Sequence, residues 1–86
     1  MIIAFIGDVV GKTGRRAVAY AAPRLRERHR PDLIIPNAED SAGGFGITPP
    51  GVAEMEAAGV SFFTSGNHVW DKREGIPLLE SKDNLI

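Results

Sequence analysis

Three short apolar runs, separated by stretches with helical periodicity, set the predicted architecture of this chain. The runs cover residues 2–6, 33–35 and 60–64. Each run lacks polar alternation and is followed by a polar or glycine-bearing turn. This pattern is typical of strands that are buried on both faces of a parallel sheet.

Three helices are predicted between and after these runs. The first covers residues 14–30 on its apolar spacing, with Pro23 expected to kink or restart it. The second begins after Thr48, a plausible N-cap, with Pro49 at the first helical position. The third begins at Asp71, because Asp-Lys-Arg-Glu has the spacing of a capping box. The expected fold class is therefore α/β, a parallel βαβαβ(α) unit of the three-layer type with right-handed crossovers.

The polar residues of interest cluster where the predicted strands end. Asp8 follows the first strand, Glu39 and Asp40 follow the second, and Asn67 and His68 follow the third. In open α/β sheets ligands bind beyond the carboxyl ends of the strands, so these side chains are expected to converge.

The residue types point to metal chemistry at this edge. Carboxylate oxygens, an amide oxygen and an imidazole suit a divalent ion such as manganese, iron or zinc. Two such ions about 3.5–4 Å apart can activate water and clamp a phosphoryl group. A histidine beside them could protonate the leaving oxygen.

Composition narrows the function classes. The 86 residues suffice for one small domain, and the net charge of −1 argues against electrostatic binding of a long nucleic acid. The chain has no cysteine, so disulfides and thiolate catalysis are excluded. The apolar start is too short for a signal peptide or a membrane span, and a cytoplasmic location is the expectation.

Three sequence blocks, in this order, resemble the YmdB-like family of calcineurin-like metallophosphoesterases. The blocks are FIGDVVGK at residues 5–12, NAED at 37–40 with AGGFGIT at 42–48, and GNHVWD at 66–71. The resemblance implies a dinuclear metal phosphodiesterase acting on small phosphoesters of the cyclic nucleotide type. It also implies that residues 1–86 are the N-terminal fragment of a metallophosphoesterase domain.

Site roles follow from the same resemblance. Asp8 resembles a ligand of the first metal, Glu39 the bridging carboxylate, and Asn67 a ligand of the second metal. His68 resembles the general acid. At Asp40 the family pattern has asparagine; an aspartate could still ligate through oxygen but adds negative charge.

The expected ligand set is incomplete. The family supplies further histidines from later in its chain, whereas this chain has only His29 and His68, and His29 lies in a basic helix end. The sequence therefore predicts weak metal binding and little or no hydrolysis by these 86 residues alone.

Other roles for these residues, and other functions for the chain, are compatible with the sequence. The site residues could be helix caps, loop residues and a structural histidine, and Trp70 could pack in the core instead of contacting substrate. Residues 7–13 resemble a P-loop, but its glycines are separated by three residues where the motif needs four. A non-catalytic binding or assembly module is a further alternative, because an uncovered parallel sheet invites association, including with a second copy of the chain.

Overall fold

Two parallel strands joined by a long helix begin the fold. The computed structural model describes residues 1–86. Strand β1 is Ile3–Asp8, helix α1 is Gly11–His29, and strand β2 is Leu33–Asn37. The strands pair in parallel from Ile3 opposite Leu33, and the register shifts before Asp8 meets Asn37. Three shorter helices follow, namely α2 (Pro49–Ala57), a 3-10 helix (Asn67–Asp71) and α3 (Gly75–Ser81). The predicted α/β class with parallel strands is confirmed.

The third apolar run does not form a regular strand, contrary to the prediction. It joins the sheet through single parallel bridges, Thr64 to Asn37 on one side and Phe63 to Leu85 on the other. Pro36 explains the broken ladder on the β2 side, because it accepts from the Thr64 amide at 3.0 Å but has no N–H to donate back. The bridge still places the end of this run beside the ends of β1 and β2.

The first two helices follow local sequence signals, with one exception. Thr48 caps α2 by accepting from the Gly51 amide at 3.4 Å, and Pro49 is the first helical residue, as predicted. Helix α1 begins three residues earlier than expected and passes through Pro23 without restarting. Pro23 leaves the Ala19 carbonyl without its helical donor, and the Arg24 guanidinium donates to the next carbonyl, that of Tyr20, at 2.7 Å.

The predicted helix start at Asp71 is wrong. Asp71 is the last residue of the 3-10 helix, and Lys72 after it has an extended backbone. Helix α3 begins only at Gly75. Pro77 is tolerated there because the first turn of a helix needs no intrahelical N–H donor.

One face of the sheet is covered by helices and the other is open. Ile34, Pro36 and Phe63 are buried, and the core also includes residues of α1 and α2. The alternate side chains of β1 stay exposed, Ile3 by 52 % and Phe5 by 61 %. The expectation of strands buried on both faces is therefore wrong for β1, because no second layer lies over this face within the 86 residues.

Two further observations concern apolar segments. Trp70 is 62 % exposed, so its interpretation as a core residue is wrong. No helix in this structure combines the length and the hydropathy that crossing a bilayer requires.

Candidate functional site

The loop after β2 carries two acidic residues on a firmly held backbone. The Asn37 side chain accepts from the Glu39 amide at 3.3 Å, and the Ser41 hydroxyl donates to the Ala38 carbonyl at 2.8 Å. Ala38 also donates to the Thr64 carbonyl at 2.8 Å. These bonds fix where Glu39 and Asp40 leave the backbone.

Arg15 ties the same loop to two helices. From α1 its guanidinium donates to Glu54 of α2 at 2.8 Å and to the backbone carbonyl of Ser41. Ser41 is fully buried, so its carbonyl needs such a donor. No local pattern in the sequence distinguishes Arg15 from the other arginines of α1.

The loop after β1 packs against this acidic loop, and three amides of this segment are engaged in hydrogen bonds. Val9 donates to the Asn37 carbonyl, Gly11 to the Asp40 carbonyl, and Gly14 to the Val10 carbonyl, each at 3.0 Å. A P-loop needs such amides free to cradle phosphate oxygens. The hydrogen bonding therefore disfavours the nucleotide-binding alternative.

His68 brings the third strand end into contact with the acids. Its Nδ1 lies 2.6 Å from Oδ1 of Asp40 and 4.0 Å from Oε2 of Glu39. Its backbone amide donates to Glu39 Oε2 at 3.2 Å. The Glu39 carboxyl group also lies against Gly66, two positions earlier: a Cβ atom there would stand 2.7 Å from Cδ of Glu39 and would displace this group.

Asp8 is the fourth residue of the cluster, and it interacts electrostatically with Asp40 and Glu39. Partial loss of hydration raises the pKa of the Asp8 carboxyl, and the hydrogen bond with Asp40 and the charges of Asp40 and Glu39 raise it further. Two carboxyl groups in hydrogen-bond contact need a proton or a cation between them. Asp40 is 8 % exposed and serves both Asp8 and His68.

The proton on His68 is stabilised by the same carboxylate. The hydrogen bond with Asp40 and the Asp40 charge raise the pKa of the imidazole above its ordinary value of 6.5, and the charges of Glu39 and Asp71 add to this. The side chain is 48 % exposed, so a protonated His68 can reach a bound molecule.

The donor types fit a divalent ion, but the set is not closed. Asp8, Glu39, Asp40 and His68 lie within one network of contacts. No three His, Asp or Glu side chains converge closely enough to form a metal cage by themselves. Asn67 begins the 3-10 helix, is exposed, and has no hydrogen bond with the acids.

His29 lies outside the cluster, whereas Thr64 lies beside it and was not among the predicted site residues. His29 is exposed near the far end of α1, away from the strand ends. Thr64 lies at the end of the third run, and its Oγ1 is buried without a hydrogen-bond partner. Only the fold shows that this hydroxyl is buried beside the site, since a threonine in an apolar run gives no sequence signal.

A comparison with protein families decides the relationship. The family model described as "YmdB-like protein" matches residues 4–86. The chain belongs to the YmdB-like family. This family match confirms the relationship predicted from the three sequence blocks.

Individual relatives and solved structures agree with this assignment. The chain is 38 % identical over 86 residues to the 2′,3′-cyclic-nucleotide 2′-phosphodiesterase of Bacillus subtilis (strain 168), covering all of this chain and 33 % of the relative. A solved structure of a phosphatase from Mycoplasma pneumoniae shares the fold with a TM-score of 0.91 at 31 % identity. A hypothetical protein from Thermus thermophilus gives a TM-score of 0.89 at 40 % identity.

The match spans the whole of this chain but only part of each relative. The chain covers 32 % of the Mycoplasma pneumoniae structure and 33 % of the Thermus thermophilus structure. It therefore spans about a third of the length of the relatives it matches.

Proposed function

We propose that this chain supplies the front part of the active site of a metal-dependent phosphodiesterase. The substrate class is a small phosphoester of the cyclic nucleotide type. The observation that carries the proposal is the contact network at the strand ends, where His68 Nδ1 lies 2.6 Å from Asp40 and the His68 amide donates to Glu39 at 3.2 Å. The name of the Bacillus subtilis relative supports the substrate class.

Four residues would hold two divalent ions, namely Asp8, Glu39, Asp40 and Asn67. Their oxygen donors suit manganese, iron or zinc. When bound, such ions polarise a phosphoryl oxygen and lower the pKa of a water molecule. The charges of Asp40 and Glu39 raise the pKa of Asp8, so a cation bound here would relieve the repulsion between these carboxylates.

His68 would act as the general acid. Asp40 and Glu39 favour the protonated imidazole, which raises the share of His68 that can give a proton to the leaving oxygen. Asp40 lies against Nδ1, so the opposite ring nitrogen, Nε2, is the one turned toward a substrate. Asp40 thus orients His68 in addition to any role as a ligand.

The same cluster implies that the chain alone binds metal weakly. The donors form no closed cage, and the exposed Asn67 makes no hydrogen bond with the acids. We expect little or no hydrolysis by the 86 residues in isolation, since further ligands would have to come from other parts of a longer protein.

A second candidate function is a non-catalytic assembly module. The open face of the sheet favours it, because Ile3 and Phe5 form exposed apolar surface on a strand. A second copy of the chain is the simplest partner for such a face. The two candidates differ in whether metal binding depends on the acidic cluster.

Calorimetric titration of Mn²⁺ into the 86-residue chain tests the proposal. We expect weak binding that Asp8→Asn and Glu39→Gln each reduce by about tenfold or more, as the loss of a ligand should do. Asp83→Asn is the matched control, because Asp83 is an exposed acid outside the cluster. Binding that is absent in the parent chain, or equal in the Asp8 and Asp83 variants, would contradict the metal site and favour the assembly module.

A further inference from the structure

Two exposed aromatic side chains lie on segments that continue from site residues: Phe45 follows the acidic loop, and Trp70 shares the 3-10 helix with His68. Phe45 is 48 % exposed and Trp70 is 62 % exposed. Neither belongs to the buried core. Large apolar side chains left in solvent next to a polar site are candidates for contact with a ligand.

The backbone places Trp70 on the side of the site. Trp70 lies in the 3-10 helix Asn67–Asp71. Side chains three residues apart on a 3-10 helix eclipse each other, so Trp70 lies on the same side of this helix as Asn67. The indole is therefore carried by the short helix that also carries His68.

Phe45 is held against the segment that follows this helix. It lies in a turn closed by a hydrogen bond from the Ala42 amide to the Gly46 carbonyl at 2.9 Å. The Lys72 ammonium lies 5.1 Å from the centre of the Phe45 ring. Gly46 has φ +77°, and the Lys72 side chain occupies the space where a Cβ atom would be. Lys72 takes one face of the ring, and much of the remaining ring surface is exposed.

We propose that Phe45 and Trp70 form the binding surface for the nucleobase of the phosphoester substrate. This inference rests on the proposed function. It concerns the nucleobase, which would contribute binding energy at a distance from the reacting phosphate. Every nucleobase has a flat aromatic face, and stacking on aromatic side chains tolerates all bases. The surface therefore predicts affinity for nucleotides without strong preference for one base.

The two ends of the substrate would contact surfaces of different charge, the phosphate at the acids and the base at the aromatic side chains. Asp8, Glu39 and Asp40 repel a phosphate unless cations are bound. The aromatic pair carries no charge, and the cation in contact with it is Lys72. Binding of the base should therefore persist without metal, which lets it be measured independently of the metal site.

Trp70 reports this binding directly, since it is the only tryptophan of the chain. Adenosine and adenosine 2′,3′-cyclic phosphate are titrated into the metal-free 86-residue chain while tryptophan fluorescence is recorded. Ribose 5-phosphate is the probe without a base, and free tryptophan corrects for collisional quenching. We expect saturable quenching by adenosine, weaker saturable quenching by its cyclic phosphate because the metal-free acids repel the phosphate, and none by ribose 5-phosphate.

Substitutions of Phe45 separate stacking from general effects on the fold. Phe45→Ala should raise the half-saturation concentration for adenosine by about 5- to 150-fold, the range expected for loss of one stacking partner. Phe45→Tyr should retain binding, because the ring is preserved. Tyr20→Ala is the matched control: Tyr20 is also exposed and lies 3.4 Å from a cation, Arg24, but on α1.

The outcomes distinguish this inference from the proposed function. No saturable quenching by adenosine, or equal half-saturation for Phe45→Ala and Tyr20→Ala, would overturn the aromatic surface even if Mn²⁺ still binds at the acids. Base-dependent quenching that is sensitive to Phe45 supports the surface even if Mn²⁺ fails to bind. In that second case the metal proposal fails and the base-binding surface stands.

Discussion

At the residue scale, Asp40 connects the groups that the proposed chemistry needs. Its carboxylate contacts His68 at 2.6 Å and its charge raises the pKa of Asp8, while its backbone carbonyl accepts from Gly11 at 3.0 Å. One residue thereby joins the ends of β1 and β2 and the 3-10 helix. The extra negative charge relative to asparagine supports the proton on His68.

Gly66 is the residue whose size the site constrains most directly. Gly66→Ala should lower the free energy of unfolding by about 1 kcal/mol, because the new methyl group displaces the Glu39 carboxylate and breaks its hydrogen bond with the His68 amide. Urea denaturation measures this. Gly43→Ala is the control, because a Cβ atom there meets nothing within 4 Å, and its change should stay below about 0.5 kcal/mol. Equal stability of the two variants would show that Glu39 does not lie against Gly66.

At the element scale, the helices are anchored to the sheet through side chains that no local pattern reveals. Arg15 links α1 to α2 and to the acidic loop. Glu56 of α2 accepts from Lys82 at 2.9 Å and from Asn84 at 3.0 Å. This second link fixes the end of the chain, where Asn84 and Ile86 pair with Phe63.

The Glu56 link predicts a pH dependence of stability. Hydrogen bonds from Lys82 and Asn84 lower the pKa of Glu56 below its ordinary value of 4.5. A carboxyl whose pKa is lowered by folding stabilises the protein above the unfolded pKa, and this contribution is lost as the pH falls through the folded pKa. The stability difference between the parent chain and Glu56→Gln should therefore be full at pH 7 and shrink below about pH 4.5.

Denaturation at several pH values checks this expectation. Glu80→Gln is the control, since Glu80 is exposed on α3 and makes none of these hydrogen bonds. A difference between the parent chain and Glu56→Gln that stays constant down to the acid range would mean that the Glu56 contacts do not depend on its charge.

Local signals predicted some elements and not others, for physical reasons. Thr48 and Pro49 fix the start of α2 through backbone geometry that neighbouring residues determine alone. Asp71 carries the same kind of signal, but tertiary packing places it at the end of a 3-10 helix instead. The acids and His68 could be placed together because parallel strands end at one edge. Arg15 and the exposure of Trp70 depend on contacts between distant segments, which the sequence does not display.

At the scale of the whole molecule, the uncovered face of the sheet and the incomplete set of metal ligands have the same explanation. β1 presents Ile3 and Phe5 to solvent, and the acids form no closed cage. Parallel sheets are normally covered on both faces. The relatives are about three times as long as this chain. We expect a longer protein to cover the face and to complete the ligands at once.

A hybrid protein tests this account most directly. Residues 1–86 replace the matching third of the Bacillus subtilis relative, and hydrolysis of a 2′,3′-cyclic nucleotide is measured with Mn²⁺ present. We predict that the hybrid is active, that the 86 residues alone are not, and that Asp8→Asn in the hybrid loses more than the about 10- to 100-fold typical of an outer-shell partner. Asp83→Asn should leave the rate unchanged. A folded hybrid without activity, or one in which Asp8→Asn is as active as the parent, would contradict the proposed site.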